Sequence, residues 1–132
     1  MQGEEDVPVR AEADILTARQ TGKAFAGRLG FSDADAVLIA TAISEIARNM
    51  LEYARGGVMH FRALEAPRAG LEIQAQDQGP GIEDLELAMR DGYSTSGGLG
   101  LGLPGAKRLM DDFSISSKPG AGTTVVMRKW VP

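Results

Sequence analysis

Apolar residues recur along this chain in two rhythms, and each change of rhythm marks a new element. Val7, Val9 and Ala11 alternate with polar neighbours, the period of a short edge strand. From Ala13 to Leu29 the period lengthens to that of a helix, with Ile15, Ala18, Gly22, Phe25, Ala26 and Leu29 on one stripe and Gly30 as its stop. Ser32 is placed to cap the next helix, and Asp33 and Asp35 fall in its first turn, where the helix dipole favours negative charge. That helix is predicted to run to about Tyr53, with Ile39, Ile43, Ile46 and Met50 as its buried stripe and Gly56-Gly57 as its end.

Beyond it the two-residue rhythm returns. Strands are predicted at about Val58 to Glu65 and Leu71 to Gln76, with Ala66 to Gly70 turning between them. A Gly-Pro-Gly turn, a short helix near Asp84 to Arg90 and a flexible stretch from Gly92 to Gly102 come next. Pro104 suits the first turn of a helix through about Asp112. Ser114 to Lys118 and Thr123 to Trp130 read as a hairpin around Pro119-Gly120-Ala121-Gly122. Helices and strands in this order predict an α/β (α+β) two-layer sandwich, with helices on one face of a mixed, mostly antiparallel sheet. The helical face is the one expected to hold a ligand.

Composition narrows the class. A chain of 132 residues, 43% apolar and 24% charged, is expected to form one domain (1–132) with its own core. No apolar stretch approaches membrane-spanning length, and Met1 to Asp14 is acidic with no apolar signal-peptide core. The net charge of −4 and the lack of a Lys/Arg block argue against nucleic acid as a partner. With no cysteine, disulfides, thiolate metal sites and cysteine nucleophiles are excluded, which fits a reducing cytoplasm. His60, the one histidine, sits in a predicted strand and reads as structural, and Met89, Met110 and Met127 read as core filling.

Three stretches carry candidate chemistry. Glu45 and Asn49 lie four apart, so on a helix they share a face and can point a base and a metal-binding amide into one pocket. In Asp77-Gln78-Gly79-Pro80-Gly81-Ile82 a carboxylate ends a strand and runs into glycines that let backbone come close, so it can face an adenine amino group. The run from Ser94 and Thr95 through Gly98, Gly100 and Gly102 precedes a helix, and its N–H groups can close around phosphates as a lid. Taken singly, Glu45 and Asn49 would be solvated helix residues and Asp77 a turn residue. Their order reverses that reading. Gly100-Leu101-Gly102-Leu103-Pro104-Gly105 also matches a dinucleotide fingerprint, but no strand immediately precedes it and no βαβ unit surrounds it.

This ordered set resembles the GHKL ATPase superfamily of gyrase, histidine kinases and MutL, whose domain is the Bergerat ATP-binding fold. The resemblance rests on an N-box (Glu45, Arg48, Asn49), a G1 box (Asp77, Gly79, Gly81), a G2 lid (Gly98, Gly100, Gly102) and the terminal Gly122-Thr123. Within the superfamily, Thr41 to Asn49, Glu83 and Asp91 to Gly105 are similar to the switch-kinase branch of the anti-sigma-factor serine kinases; Ser114 onward agrees less closely.

The resemblance implies ATP and Mg²⁺ as cofactors. Asn49 would hold the metal through its amide oxygen and Glu45 would act as the catalytic base. Asp77 would accept the adenine amino hydrogen, Gly79, Gly81 and Ile82 of its box would bind the nucleotide, and Thr123 would support Asp77 through a hydroxyl contact or a water. Lid residues Ser94, Thr95, Gly98, Gly100 and Gly102 would bind the phosphates. Many relatives carry a lysine after the paired hydroxyls; Ser96 and two glycines stand here, which leaves phosphate neutralisation to backbone amides or Lys107. Arg48 is left to pair with an acidic group near the site or to face a partner. The implied activity is a serine/threonine kinase that phosphorylates a STAS-domain antagonist and a stressosome scaffold, then activates a PP2C-type phosphatase by partner switching. The alternative is an anti-sigma factor that sequesters a sigma factor in a nucleotide-gated way.

Overall fold

The computed structural model describes residues 3–79, 103–117, 120 and 122–132. The helix expected near Asp84 and the stretch from Gly92 to Gly102 lie outside them, as does Met89. The described elements are β1 (Glu4–Val9), α1 (Glu12–Leu29), α2 (Asp33–Ala54), β2 (Gly57–Leu64), β3 (Gly70–Asp77), α3 (Leu103–Leu109), β4 (Asp112–Ser117) and β5 (Thr123–Trp130). The strands form one sheet in the order β1-β2-β3-β5-β4. Each pairing is antiparallel, so the sheet is antiparallel throughout the described residues and contains no βαβ unit there.

Local chemistry sets the breaks between elements. The Asp14 carboxylate accepts the Arg10 and Ala11 N–H groups at 2.8 and 3.0 Å, so Ala11, expected to prolong the first strand, instead sits at the helix start. At the other end of α1, Gly30 adopts φ 92°, and the Phe31 N–H reaches the Ala26 carbonyl at 3.0 Å. Phe31 is buried by that turn, and the Ser32 hydroxyl then accepts the Asp35 N–H at 3.1 Å to open α2. α2 ends on Arg55 at φ 62° and Gly56 at φ 116°, where a side chain on Gly56 would meet the Val9 carbonyl oxygen at 2.2 Å. This close approach brings the chain into β2 beside β1.

One boundary differs more. The helix expected to reach Asp112 stops at Leu109, because Asp112 is already the first residue of β4, opposite Arg128. The Asp111 carboxylate accepts the Trp130 N–H and that of Asp112 accepts the Trp130 indole N–H, each at 2.8 Å, and both bonds hold this corner against β5.

The helices pack on the sheet face presented by Val7, Met59, Phe61, Leu71, Ile73, Val125 and Met127, all buried. The α1 stripe and the α2 stripe Ile39, Ile43, Ile46 and Met50 meet them as expected; Leu29 is only partly buried. Phe25 stacks on Phe61 with centroids 6.0 Å apart, and α1 comes so close to α2 that a Cβ on Gly22 would lie 2.2 Å from Ile43 Cδ1. Side chains of this size each contribute about 1.5–3 kcal/mol on burial.

The opposite face is polar. By register, Glu4, Arg62, Glu72, Arg128 and Asp112 run across all five strands with alternating sign. Glu72, the one buried charged residue among those described, accepts from Arg62 at 3.1 Å and Arg128 at 2.8 Å. In the next row His60 lies between Asp6, through Nδ1, and Glu4, 2.8 Å from Nε2. Its place in β2 agrees with a structural role.

Both ring nitrogens of His60 face carboxylates, and only the imidazolium can donate to both. Its pKa is accordingly raised from 6.5, chiefly by the Asp6 hydrogen bond, against the opposing effect of partial burial. A raised folded-state pKa stabilises the fold fully below the unfolded value of 6.5 and loses that contribution as pH rises through the folded value. Denaturation midpoints are therefore expected to fall as pH is raised across that window, and His60→Gln is expected to flatten the fall.

Candidate functional site

At one end of the sheet the helix-facing row is Gly57, Asp77, Thr123 and Ser117, drawn from β2, β3, β5 and β4. Asp77 organises it. Its Oδ1 accepts two backbone hydrogens, from Gly79 N at 2.9 Å and from Thr123 N at 3.1 Å. The first bond folds the chain back directly after the strand, and the second ties β3 to the start of β5. Oδ2 has no protein partner among the described residues, so the carboxylate is held by one oxygen and offers the other.

Glycine is needed on both sides of this arrangement. A Cβ on Gly79 would lie 2.5 Å from Ala54 Cβ and 2.7 Å from Ala54 Cα, so the turn after β3 rests directly on the end of α2. Gly122 adopts φ 81°, and a Cβ there would lie 2.2 Å from the Asp77 carbonyl oxygen. Next to the turn, Tyr53, Ala54, Arg55, Gln78, Gly79 and Gly120 line an open depression. Arg55, at the rim, holds a left-handed backbone conformation uncommon for a residue with a side chain.

On α2, Glu45 and Asn49 are partly buried and make no hydrogen bond or ion pair among the described residues. The adjacent Arg48, about 100° further round the helix from Asn49, is exposed and lies 3.8 Å from Glu12 of α1. Arg48 thus marks the α1 flank, and the long, exposed ion pair contributes little. Asn49 lies further round the helix from that flank, and Glu45, three residues before Arg48, lies about 60° from it, between Arg48 and Asn49. Lys107 is exposed on α3, which packs against α2.

Of the residues singled out from sequence, Gly81, Ile82, Ser94, Thr95, Gly98, Gly100 and Gly102 lie outside the described residues. Thr123 supports Asp77, but through its amide. Its hydroxyl instead lies 2.9 Å from the Ser117 hydroxyl, which also donates to the Gly122 carbonyl at 3.1 Å. Ser117 and Arg55 were not anticipated. One serine among three in β4 carries no signal until the strand's register is known, and Arg55 is visible only through its backbone angle.

The sequence model of the histidine kinase-like ATPase domain matches residues 7–129. The serine/threonine-protein kinase RsbT of Bacillus subtilis is 48% identical over 99% of both chains. An anti-sigma F factor of Caldanaerobacter subterraneus is 32% identical, over 86% of this chain and 83% of its own. Two solved structures share the fold. The RsbU and RsbW domains of a Mycobacterium tuberculosis protein match with a TM-score of 0.67 and 19% identity over 96% of this chain, which spans 32% of that longer one. The mycobacterial sensor histidine kinase MprB matches with a TM-score of 0.57 and 16% identity over 96% of each.

Packing at the turn makes a test that separates two glycines. Gly79→Ala forces rigid atoms together and is expected to lower stability by about 1–3 kcal/mol. Gly27→Ala, on α1 with no atom within 4 Å of the new Cβ, is expected to gain about 0.5–1 kcal/mol from helix propensity. Chemical denaturation of the two variants beside the parent checks both signs.

Proposed function

The chain belongs to the histidine kinase-like ATPase domain family, and we propose that it is a cytoplasmic serine/threonine protein kinase that uses Mg-ATP to phosphorylate a STAS-domain antagonist and a stressosome scaffold. The observation that carries this reading is end-to-end similarity to a serine/threonine-protein kinase, with no large insertion or missing segment between the two chains. In this account phosphorylation expels the antagonist, and the freed kinase activates a PP2C-type phosphatase. The new phosphate adds about −1.5 to −2 of charge beside a protein of net charge −4.

The chemistry assigns a role to each group. Asp77 Oδ2 accepts a hydrogen from the adenine amino group while Oδ1 stays engaged with Gly79 and Thr123. Asn49 offers an unengaged amide oxygen, a hard ligand of the kind Mg²⁺ prefers, and Mg²⁺ takes few protein ligands when phosphates and waters complete its shell. When bound, the metal neutralises phosphate charge. Glu45 takes the proton of the attacking serine or threonine hydroxyl as its oxygen bonds to the γ-phosphorus and the bond to the β-phosphate oxygen breaks, leaving ADP. Gly81, Ile82, Ser94, Thr95, Gly98, Gly100, Gly102 and Lys107 complete the nucleotide contacts in this proposal.

A second reading, a nucleotide-gated anti-sigma factor, is favoured by the relatives named anti-sigma F factor. Direct binding to a sigma subunit distinguishes it from the first.

Glu45→Ala is expected to leave Mg-ATP affinity intact and slow phosphoryl transfer to a STAS-domain protein by about 10²- to 10⁴-fold. Radiolabelled transfer in single turnover measures this. A rate within about threefold of the parent removes Glu45 from the chemistry, and no transfer by the parent together with tight sigma binding favours the second reading.

A further inference from the structure

The sheet has two edges, β1 and β4, each paired on one side only among the described strands. An edge strand turns alternate N–H and C=O groups outward, a template for any strand of fitting pattern. The two edges differ in how they meet that exposure. β1 carries Glu4, Glu5 and Asp6, and its Pro8 lacks an N–H, so it repels a copy of itself and cannot complete a ladder. β4 reads Asp-Phe-Ser-Ile-Ser-Ser, with no proline and no basic residue, and its register with β5 runs unbroken from Asp112 to Ser117. Phe113 and Ile115 are half-buried on the helix-facing side, packed against the core, while Asp112, Ser114 and Ser116 are exposed on the other.

We propose that β4 is the interaction surface for a second copy of this chain, the two β4 strands running antiparallel about a two-fold axis at Ser114 and joining two five-stranded sheets into one. Face and charge set this register. A two-fold axis perpendicular to the sheet pairs residues of the same face, so it passes through a residue. At Ser114 it sets Phe113 against Ile115 twice on the helix-facing side and Asp112 against Ser116 twice on the other, pairing apolar with apolar and a carboxylate with a hydroxyl that can donate to it. The Asp112 carboxylate is already oriented by the Trp130 indole N–H at 2.8 Å. Moving the axis to Phe113 leaves Ile115 facing Asp111, and moving it to Ile115 leaves Phe113 facing Ser117. A strand pair of this length covers less than the about 1,200–2,000 Å² of a standard interface, so the association is weak and concentration-dependent. It is independent of what binds at Asp77.

Because residue 114 meets its own copy, charge placed there tests the pairing. Sedimentation equilibrium of the full chain, taken to about 1 mM, is expected to show monomer and dimer in exchange. Ser114→Glu and Ser114→Lys, at an exposed position, are each expected to weaken the dimer by about fivefold or more, since like charges then face one another. An equimolar mixture of the two variants is expected to recover the parent's association. Ser114→Cys gives a second readout in a chain that has no cysteine. Facing Cα atoms of an antiparallel pair lie about 4.5–5.5 Å apart, within disulfide reach, so this variant is expected to form a covalent dimer under mild oxidation, and Glu5→Cys on β1 is not. A parent that stays monomeric over this range overturns the inference. So does a dimer that both charged variants leave unchanged, or whose loss in each variant their mixture fails to restore.

Discussion

A single carboxylate oxygen, Asp77 Oδ1, takes two backbone hydrogens, and the geometry of the site depends on that pair of bonds. One closes the turn that lays Gly79 against Ala54 at the end of α2. The other holds Thr123 at the start of β5, where Gly122 crosses the Asp77 carbonyl with no space for a Cβ. Three elements distant in sequence thus converge on one side chain. Such charge-assisted bonds to backbone N–H are stronger than neutral ones, which suits the role proposed for Asp77, where the second oxygen stays aimed as a ligand comes and goes.

The two faces of the sheet divide the work. Towards the helices, Phe25, Phe61, Ile43, Ile73 and Met127 fill a dry core that fixes α2 in place. Away from them, cross-strand charge pairs satisfy one another, with Glu72 held between Arg62 and Arg128 and His60 between Glu4 and Asp6. The core binds α2 along its Ile39, Ile43, Ile46 and Met50 stripe and leaves Glu45 and Asn49 on a flank where neither side chain has a partner among the described residues. Half-buried polar groups without internal partners lose solvation on folding. A ligand that supplies partners recovers it.

Much of this could be read in the sequence because it follows from period. The α2 stripe repeats every three to four residues, the strands alternate, and Asp77 stands out because a carboxylate precedes glycines at a strand end. What stayed hidden depends on register and backbone bonding. Thr123 was expected to support Asp77 through a hydroxyl contact or a water; the direct bond is made by its amide, and the hydroxyl lies against Ser117. Ser114 and Ser116 alternate outward while Ser117 turns inward, a difference that appears only when β4 is paired with β5. Arg48, which sequence left between two roles, lies on the α1 side near Glu12 because consecutive helical residues point about 100° apart. Asp112 was drawn into a helix by local pattern and belongs to a strand, since its pairing with Arg128 and its bond to the Trp130 indole are long-range.

The central claim is that the oxygen Asp77 leaves free recognises the adenine amino group. Calorimetric titration of Asp77→Asn with Mg-ATP and Mg-GTP tests it most directly, because the amide is nearly isosteric but offers a donor in place of one acceptor. The account requires ATP affinity to drop by about tenfold or more and the preference for ATP over GTP to shrink, with Mg-ATP still bound by the parent. An Asp77→Asn protein that binds ATP as tightly as the parent and still excludes GTP would contradict it.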